Sequence, residues 1–120
     1  MKILYRILLI LILIILQSCA KDKEETNKIK EVNQELEMIS TYGEAIDYIN
    51  KGDSFYAAKK FLEAELLFPQ SDWAPKSALM ASYSYYSENY YDEAIFNLER
   101  FIKTYPKDKR LPYAHFLLAM

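Results

Sequence analysis

The sequence predicts an all-α protein in which helical hairpins repeat along the chain and stack into an α-solenoid. The first observation is a spacing of 37 residues between two corresponding sets of side chains. These are Tyr48, Ala57, Phe61, Ala64, Phe68 and Pro69 in the first set, and Tyr85, Ala94, Leu98, Phe101, Tyr105 and Pro106 in the second. The second observation is that only 2 of the 120 residues are glycine, whereas a strand-based fold needs more turn glycines. A unit that recurs with this chemistry buries its apolar face against the next unit.

Composition restricts the classes of ligand. The formal net charge is −2 and the isoelectric point is near 5.4, so the chain lacks the basic footprint of a nucleic-acid-binding protein. A single Cys and a single His form neither an internal disulfide framework nor a tetrahedral metal site. We therefore expect no nucleic acid and no metal or other cofactor.

The N-terminal residues have the pattern of an export signal. Lys2 and Arg6 precede a short apolar run from Ile7 to Leu16, and small Ser18 follows before Cys19. An apolar run this short, after a positive region, is typical of a signal peptide over residues 1–18. The same residues also permit an uncleaved N-terminal membrane helix over residues 3–16, in which Cys19 has no role.

The run Leu16-Gln17-Ser18-Cys19 resembles the lipobox of bacterial lipoproteins. The resemblance implies that Cys19 becomes the first residue of the mature chain and carries a covalent lipid. We expect no other group to be attached to the protein. Because each buried methylene contributes about 0.8 kcal/mol, several acyl chains hold a protein on a membrane almost permanently. Ala20 follows the cysteine, which resembles the pattern of those lipoproteins that are sent to the outer membrane. The resemblance implies that the chain lies on the periplasmic face of that membrane.

Residues 19–37 are charged and polar, which predicts a flexible tether. Ile29, Val32, Leu36 and Ile39 do recur at helical spacing, so we expect the tether to become helical towards the repeats.

Repeat 1 is predicted over residues 38–74. Its first helix covers residues 39–50, and Gly52 follows, where a left-handed conformation ends the helix. Its second helix covers residues 54–67 and stops before Pro69.

Repeat 2 is predicted over residues 75–111, with helices at 75–87 and 90–104. Pro112 lies 37 residues after Pro75, so residues 112–120 are predicted to begin a third repeat that is truncated. An uncovered apolar face on such a helix indicates a fragment of a longer protein.

The corresponding residues of the two sets resemble the tetratricopeptide repeat, in which a small residue, an aromatic, Ala and a closing Pro recur in this order. Combined with the lipobox, several short runs resemble the N-terminal half of the BamD family of outer-membrane assembly-factor lipoproteins. The runs are Tyr56-Ala57-Ala58, Phe68-Pro69-Gln70-Ser71, Ala81-Ser82-Tyr83-Ser84-Tyr85-Tyr86, Arg100-Phe101-Ile102 and Pro112-Tyr113-Ala114.

This resemblance implies a periplasmic scaffold of the machinery that inserts β-barrel proteins into the outer membrane. Its implied partners are the barrel subunit of that machinery, sister lipoproteins, unfolded segments of outer-membrane proteins, and the membrane through the lipid anchor. Two other functions stay open from the residues: a periplasmic adaptor for cell division or peptidoglycan synthesis, and an enzyme whose catalytic domain follows this segment.

First helices of such repeats line a concave face, which predicts a peptide-binding groove. Its expected residues are Tyr42, Ile46, Leu79, Tyr83, Tyr86, Tyr113 and Phe116. An aromatic groove suits extended or helical peptide segments with apolar anchors. The alternative interpretation is that most of these side chains belong to the core between repeats.

No arrangement of residues indicates catalysis, so we do not expect an enzyme. Glu63, Glu65, Glu93 and Glu99 are predicted to lie on helix surfaces rather than to form a catalytic pair. Trp73 is predicted to pack across the joint between repeats.

Overall fold

The computed structural model describes residues 3–8 and 21–120, and all regular secondary structure within these ranges is helical. Residues 3–8 are helical and are followed by five helices. These are α1 (Lys21–Asn50), α2 (Ser54–Leu67), α3 (Trp73–Ser87), α4 (Tyr91–Thr104) and α5 (Leu111–Ala119). None of the helices in the described ranges is both long and apolar enough to cross a membrane. The predicted all-α class is confirmed.

The chain divides into two units, Met1–Asn33 and Gln34–Met120. The first contains the predicted signal peptide and Cys19, which lies outside the described residues. The second contains α1 from Gln34 onwards, the whole of α2 to α5, and all the contacts that follow.

The predicted tether is the main difference from expectation, because α1 begins at Lys21 rather than near residue 39. Residues 21–37 are rich in Glu and Lys, which lose little side-chain freedom in a helix. The flexible tether was predicted because this segment has few apolar residues with which to pack. A segment with few apolar residues can still form a helix that is exposed to solvent. The remaining boundaries agree with the prediction within two residues: α3 begins at Trp73 and α4 at Tyr91.

The helices of the second unit stack in chain order. One core cluster joins α1, α2 and α3 through Ala45, Ala57, Phe61 and Ala81. A second joins α2, α3 and α4 through Ala58, Tyr85 and Ala94. A third joins α3, α4 and α5 through Ala78, Leu79, Leu98, Phe101, Ala114 and Leu117. Each helix is therefore buried against its neighbours, as expected of a solenoid.

The two hairpin turns repeat the same backbone structure at a spacing of 37 residues. Gly52 (φ 80°) and Asn89 (φ 65°) both adopt a left-handed conformation. After α1, the N–H groups of Gly52 and Asp53 donate to Ile49 and Tyr48, both at 2.9 Å. After α3, the corresponding N–H groups donate to Tyr86 and Tyr85, both at 3.0 Å. This pair of bonds is the Schellman motif, which provides hydrogen-bond donors for carbonyl groups at the end of a helix.

A buried ion pair ties the second helices of the two repeats together. Arg100 on α4 donates two hydrogen bonds to the Glu65 carboxylate on α2, at 2.8 and 2.6 Å. The Tyr105 hydroxyl donates a third at 2.7 Å. Burial and the hydrogen bond to Glu65 raise the pKa of Tyr105. Glu65 is only 4% exposed, so the prediction that it lies on the surface was wrong. The carboxylate is buried because its partners arrive from the next repeat.

The two glycines give a matched test of the turn. An added Cβ meets no atom within 4 Å at Gly43 or Gly52, so only backbone preferences differ. Gly52→Ala should lower the free energy of unfolding by about 1–2 kcal/mol, because an L side chain is unfavourable in the left-handed region. Gly43→Ala, inside α1, should raise it by about 0.5–1 kcal/mol. Urea unfolding followed by circular dichroism measures both changes, and shifts of the same sign would contradict the assignment of the turn.

The Glu65 pair predicts a second stability change. Glu65→Gln preserves the side-chain shape but leaves the partly buried Arg100 without its counter-charge, which should cost about 2 kcal/mol in the free energy of unfolding. Glu63→Gln is the control, because Glu63 forms an exposed pair with Lys60 at 3.0 Å and solvent screens such pairs, so that they add little to stability. Equal losses from the two variants would show that the buried pair does not tie the repeats together.

Candidate functional site

The first helices, α1, α3 and α5, present corresponding residues at the 37-residue spacing. Three rows result: Ile39, Lys76 and Tyr113; Tyr42, Leu79 and Phe116; Ile46, Tyr83 and Met120. Successive rows are three or four residues apart along each helix, so their members share one side of that helix. We refer to these nine residues as the first-helix face. Six of the seven residues predicted for the groove belong to it; Tyr86 does not.

Exposed aromatic rings occur on the α3 and α5 parts of this face. Tyr83 is 42% exposed, Tyr113 45% and Phe116 57%. The Tyr113 and Phe116 rings stack with their centroids 6.3 Å apart and their planes 26° apart. These three side chains can lose apolar surface to a ligand, which is what an anchor for a peptide requires.

Tyr42 and Ile46 are half-buried at the joint between the repeats. The Tyr42 ring meets the edges of Phe61 and Trp73, with centroids 4.9 and 5.1 Å away. Trp73 therefore packs across the joint, as predicted. Burial raises the pKa of Tyr42, and the positive charge of Arg110 opposes this rise.

The prediction that Leu79 lines the groove was wrong. It is only 6% exposed and lies in the core cluster of α3, α4 and α5. Its position on α3 places it between neighbouring helices, whereas Phe116 in the same row lies on α5 and is exposed. For Leu79, the alternative interpretation as core between repeats is the one that the structure supports.

Tyr86 is half-buried and lies outside the first-helix face, although it shares a cavity with Met120 of that face. It borders an open cavity of about 240 Å³ between α3, α4 and α5. The other lining residues are Tyr91, Ala94, Ile95, Leu98, Leu117, Leu118 and Met120.

Lys76 is a residue of the first-helix face that the sequence interpretation missed. Its Nζ lies 4.2 Å from the centroid of the Trp73 ring and 5.0 Å from that of Tyr42. The 37-residue spacing from Ile39 to Lys76 to Tyr113 is the signal in the sequence that identifies it, although its side chain is charged and the predicted groove consisted of apolar and aromatic residues. The face thus combines aromatic rings with a cation.

The chemistry available on this face is binding by apolar burial and by charge. Within residues 3–8 and 21–120, no group of three His, Cys, Asp or Glu side chains is placed to hold a metal ion. The rings of Tyr83, Tyr113 and Phe116 can pack on apolar side chains of a ligand, and Lys76 can attract an anion.

Comparison with known proteins assigns the chain to a family. The YfiO family, described as outer membrane lipoprotein, matches residues 34–120. The outer membrane protein assembly factor BamD of Caulobacter vibrioides is 35% identical over 89 residues, which cover 74% of this chain and 29% of the relative. BamD of Neisseria gonorrhoeae is 30% identical over 102 residues, covering 85% and 38%. BamD of Rickettsia prowazekii is 29% identical over 112 residues, covering 93% and 42%.

The chain therefore spans between about 29% and 42% of the length of these relatives. The family match covers α2 to α5 completely and the part of α1 from Gln34 onwards, so it includes the whole first-helix face. On this evidence the chain belongs to the YfiO family of outer membrane lipoproteins.

Proposed function

We propose that this protein is a lipid-anchored scaffold of the outer membrane that takes part in the assembly and insertion of β-barrel proteins. It binds unfolded segments of those proteins on its first-helix face, and it binds the barrel subunit and sister lipoproteins of the assembly machinery. The relatives from Caulobacter vibrioides and Neisseria gonorrhoeae are outer membrane protein assembly factors, which supports a role in this process. The observation that best supports a binding role is that Tyr83, Tyr113 and Phe116 are exposed on one face of the stacked repeats.

The three exposed rings suit a segment that is still unfolded. Strands of a membrane β-barrel alternate apolar and polar side chains, so an unfolded strand presents apolar side chains at every second residue. Exposed rings can pack on such side chains, and aromatic residues frequently dominate the energy of an interface. A surface of this kind binds by apolar contact and tolerates variation in sequence.

The lipid on Cys19 gives the scaffold its location in this proposal. A covalent anchor at the start of the mature chain keeps the repeats at the membrane surface without a membrane-spanning helix. Substrate segments that bind there are then close to the bilayer into which they insert.

The peptide-binding role predicts a loss of affinity in the double variant Tyr83→Ala with Phe116→Ala. Both side chains are exposed, so the fold should persist while the anchors are removed. We expect a loss of about 10-fold to 100-fold in affinity for a labelled peptide from the terminal strand of an outer-membrane barrel, measured by fluorescence anisotropy.

Leu66→Ala with Phe96→Ala is the matched control, because these side chains are 74% and 67% exposed but lie on the second helices, α2 and α4. The control should bind the peptide like the unchanged protein. Unchanged affinity in the Tyr83 and Phe116 variant, with its circular dichroism spectrum preserved, would refute binding on the first-helix face.

The anchor is tested by Cys19→Ser. We expect this variant to lose the incorporation of labelled palmitate and to leave the membrane fraction, because the acyl chains supply the membrane affinity. Fractionation of cells that express either form measures both effects. Retention of the Cys19→Ser protein in the membrane at its full unprocessed mass would instead support an uncleaved N-terminal helix over residues 3–16.

A further inference from the structure

Lys76 is held in place before any ligand binds. Its ammonium group lies over the Trp73 ring and near the Tyr42 ring, at 4.2 and 5.0 Å from their centroids. The two rings come from different helices, Tyr42 from α1 and Trp73 from the start of α3, and they pack edge to face with centroids 5.1 Å apart. A lysine stem that is already packed on two rings loses less side-chain freedom on binding than a mobile surface lysine.

The charge of Lys76 is not compensated within the described part of the chain. The ion pairs there join Lys60 to Glu44 and Glu63, Arg100 to Glu65, and Arg110 to Asp108. Arg110 also lies close enough to Tyr42 to influence its titration, but its charge is shared with Asp108 at 2.9 Å. Among the residues that the structure describes, Lys76 therefore has no ion-pair partner, and the other eight residues of the first-helix face are uncharged.

We propose that Lys76, held between Tyr42 and Trp73, binds a side-chain carboxylate of the peptide segment that the first-helix face takes up. The occupant is a segment in which an acidic residue is flanked by apolar or aromatic residues. This inference rests on the proposed function and adds a charge requirement to it.

Charge and surroundings together favour this ligand. A carboxylate beside Lys76 forms a charge-assisted bond, which is stronger than a bond between neutral groups. The rings of Tyr42 and Trp73 exclude water on one side of the ammonium group, which lowers the local dielectric and strengthens the attraction. The exposed ring of Tyr113, in the same row as Lys76, is available to an apolar neighbour of the acidic residue.

The same arrangement selects against other segments. An entirely apolar segment would cover the ammonium group without providing a counter-charge, and a basic segment would be repelled. The rings therefore supply affinity for apolar segments in general, and Lys76 favours those segments that also contain an acidic residue.

The test uses the complete chain in detergent micelles and two synthetic peptides of alternating valine or tyrosine and threonine, both acetylated and amidated. One peptide carries a central glutamate and the other a central glutamine. We expect the unchanged protein to bind the glutamate peptide about 5-fold to 10-fold more tightly, which is the typical difference between a hydrogen bond to a charged group and one to a neutral group. Lys76→Met, which keeps the apolar stem on Trp73, should bind both peptides with equal affinity.

Lys59→Met is the matched control. Lys59 also lies over two aromatic rings, with Nζ 4.5 Å from the Phe55 centroid and 5.4 Å from that of Tyr56, but it belongs to α2. This variant should keep the preference for glutamate, whereas loss of the preference in both variants would indicate a non-specific effect of charge and would overturn the assignment to Lys76.

Two further outcomes would overturn the inference. One is equal binding of both peptides by the unchanged protein, which would leave the proposed peptide-binding function intact. The other is a preference that survives in Lys76→Met. A third peptide is the glutamine peptide with a free C-terminal carboxylate in place of the amide. If it alone binds more tightly, the ligand is a chain-terminal carboxylate and the assignment to a side chain is overturned. Failure of the unchanged protein to bind any of the peptides would overturn the proposed function, and this inference with it.

Discussion

Close approach of helices at alanine is the constraint on which the rest of this structure depends. Nine of the sixteen buried apolar residues in the described part of the chain are alanines, and eight of these are fully buried. A small side chain at a crossing lets two helices approach until the rings beside it fill the remaining space. Phe61 and Phe101 fill that space in the core clusters around the alanines. A larger residue at Ala57 or Ala94 would push the helices apart.

The alanine crossings also influence where the chain places its larger side chains. Space between the closely packed helices is limited, so many of the aromatic residues lie at joints or on outward faces. Tyr42 and Trp73 fill a joint, whereas Tyr113 and Phe116 extend into solvent from α5. The aromatic character of the first-helix face is therefore partly a consequence of how the core is packed, and the rings that packing leaves exposed are the ones that the proposed function uses.

Polar contacts add specificity to this apolar stack. Glu65 and Arg100 meet in a two-bond pair between the second helices of successive repeats, and Tyr105 completes the set of donors. A buried pair of this kind adds little net stability, because desolvation offsets most of the attraction. It does penalise any alternative packing of α4 on α2, since another register would leave a buried charge without a partner. Alanine crossings bring the helices together, and the ion pair defines their alignment.

The sequence by itself determined α2 to α5, the part of α1 from residue 39, the turn at Gly52, the 37-residue period and most of the first-helix face, because these follow from local spacing and backbone preference. It did not determine which positions of that period are buried. Leu79 and Phe116 occupy the same row, yet one is in the core and the other is exposed. Only the tertiary structure decided this difference, together with the burial of Glu65 and the placement of Lys76 between two rings. Each of the three depends on side chains that arrive from other helices, and a period along the chain contains no information about which neighbours cover a given residue.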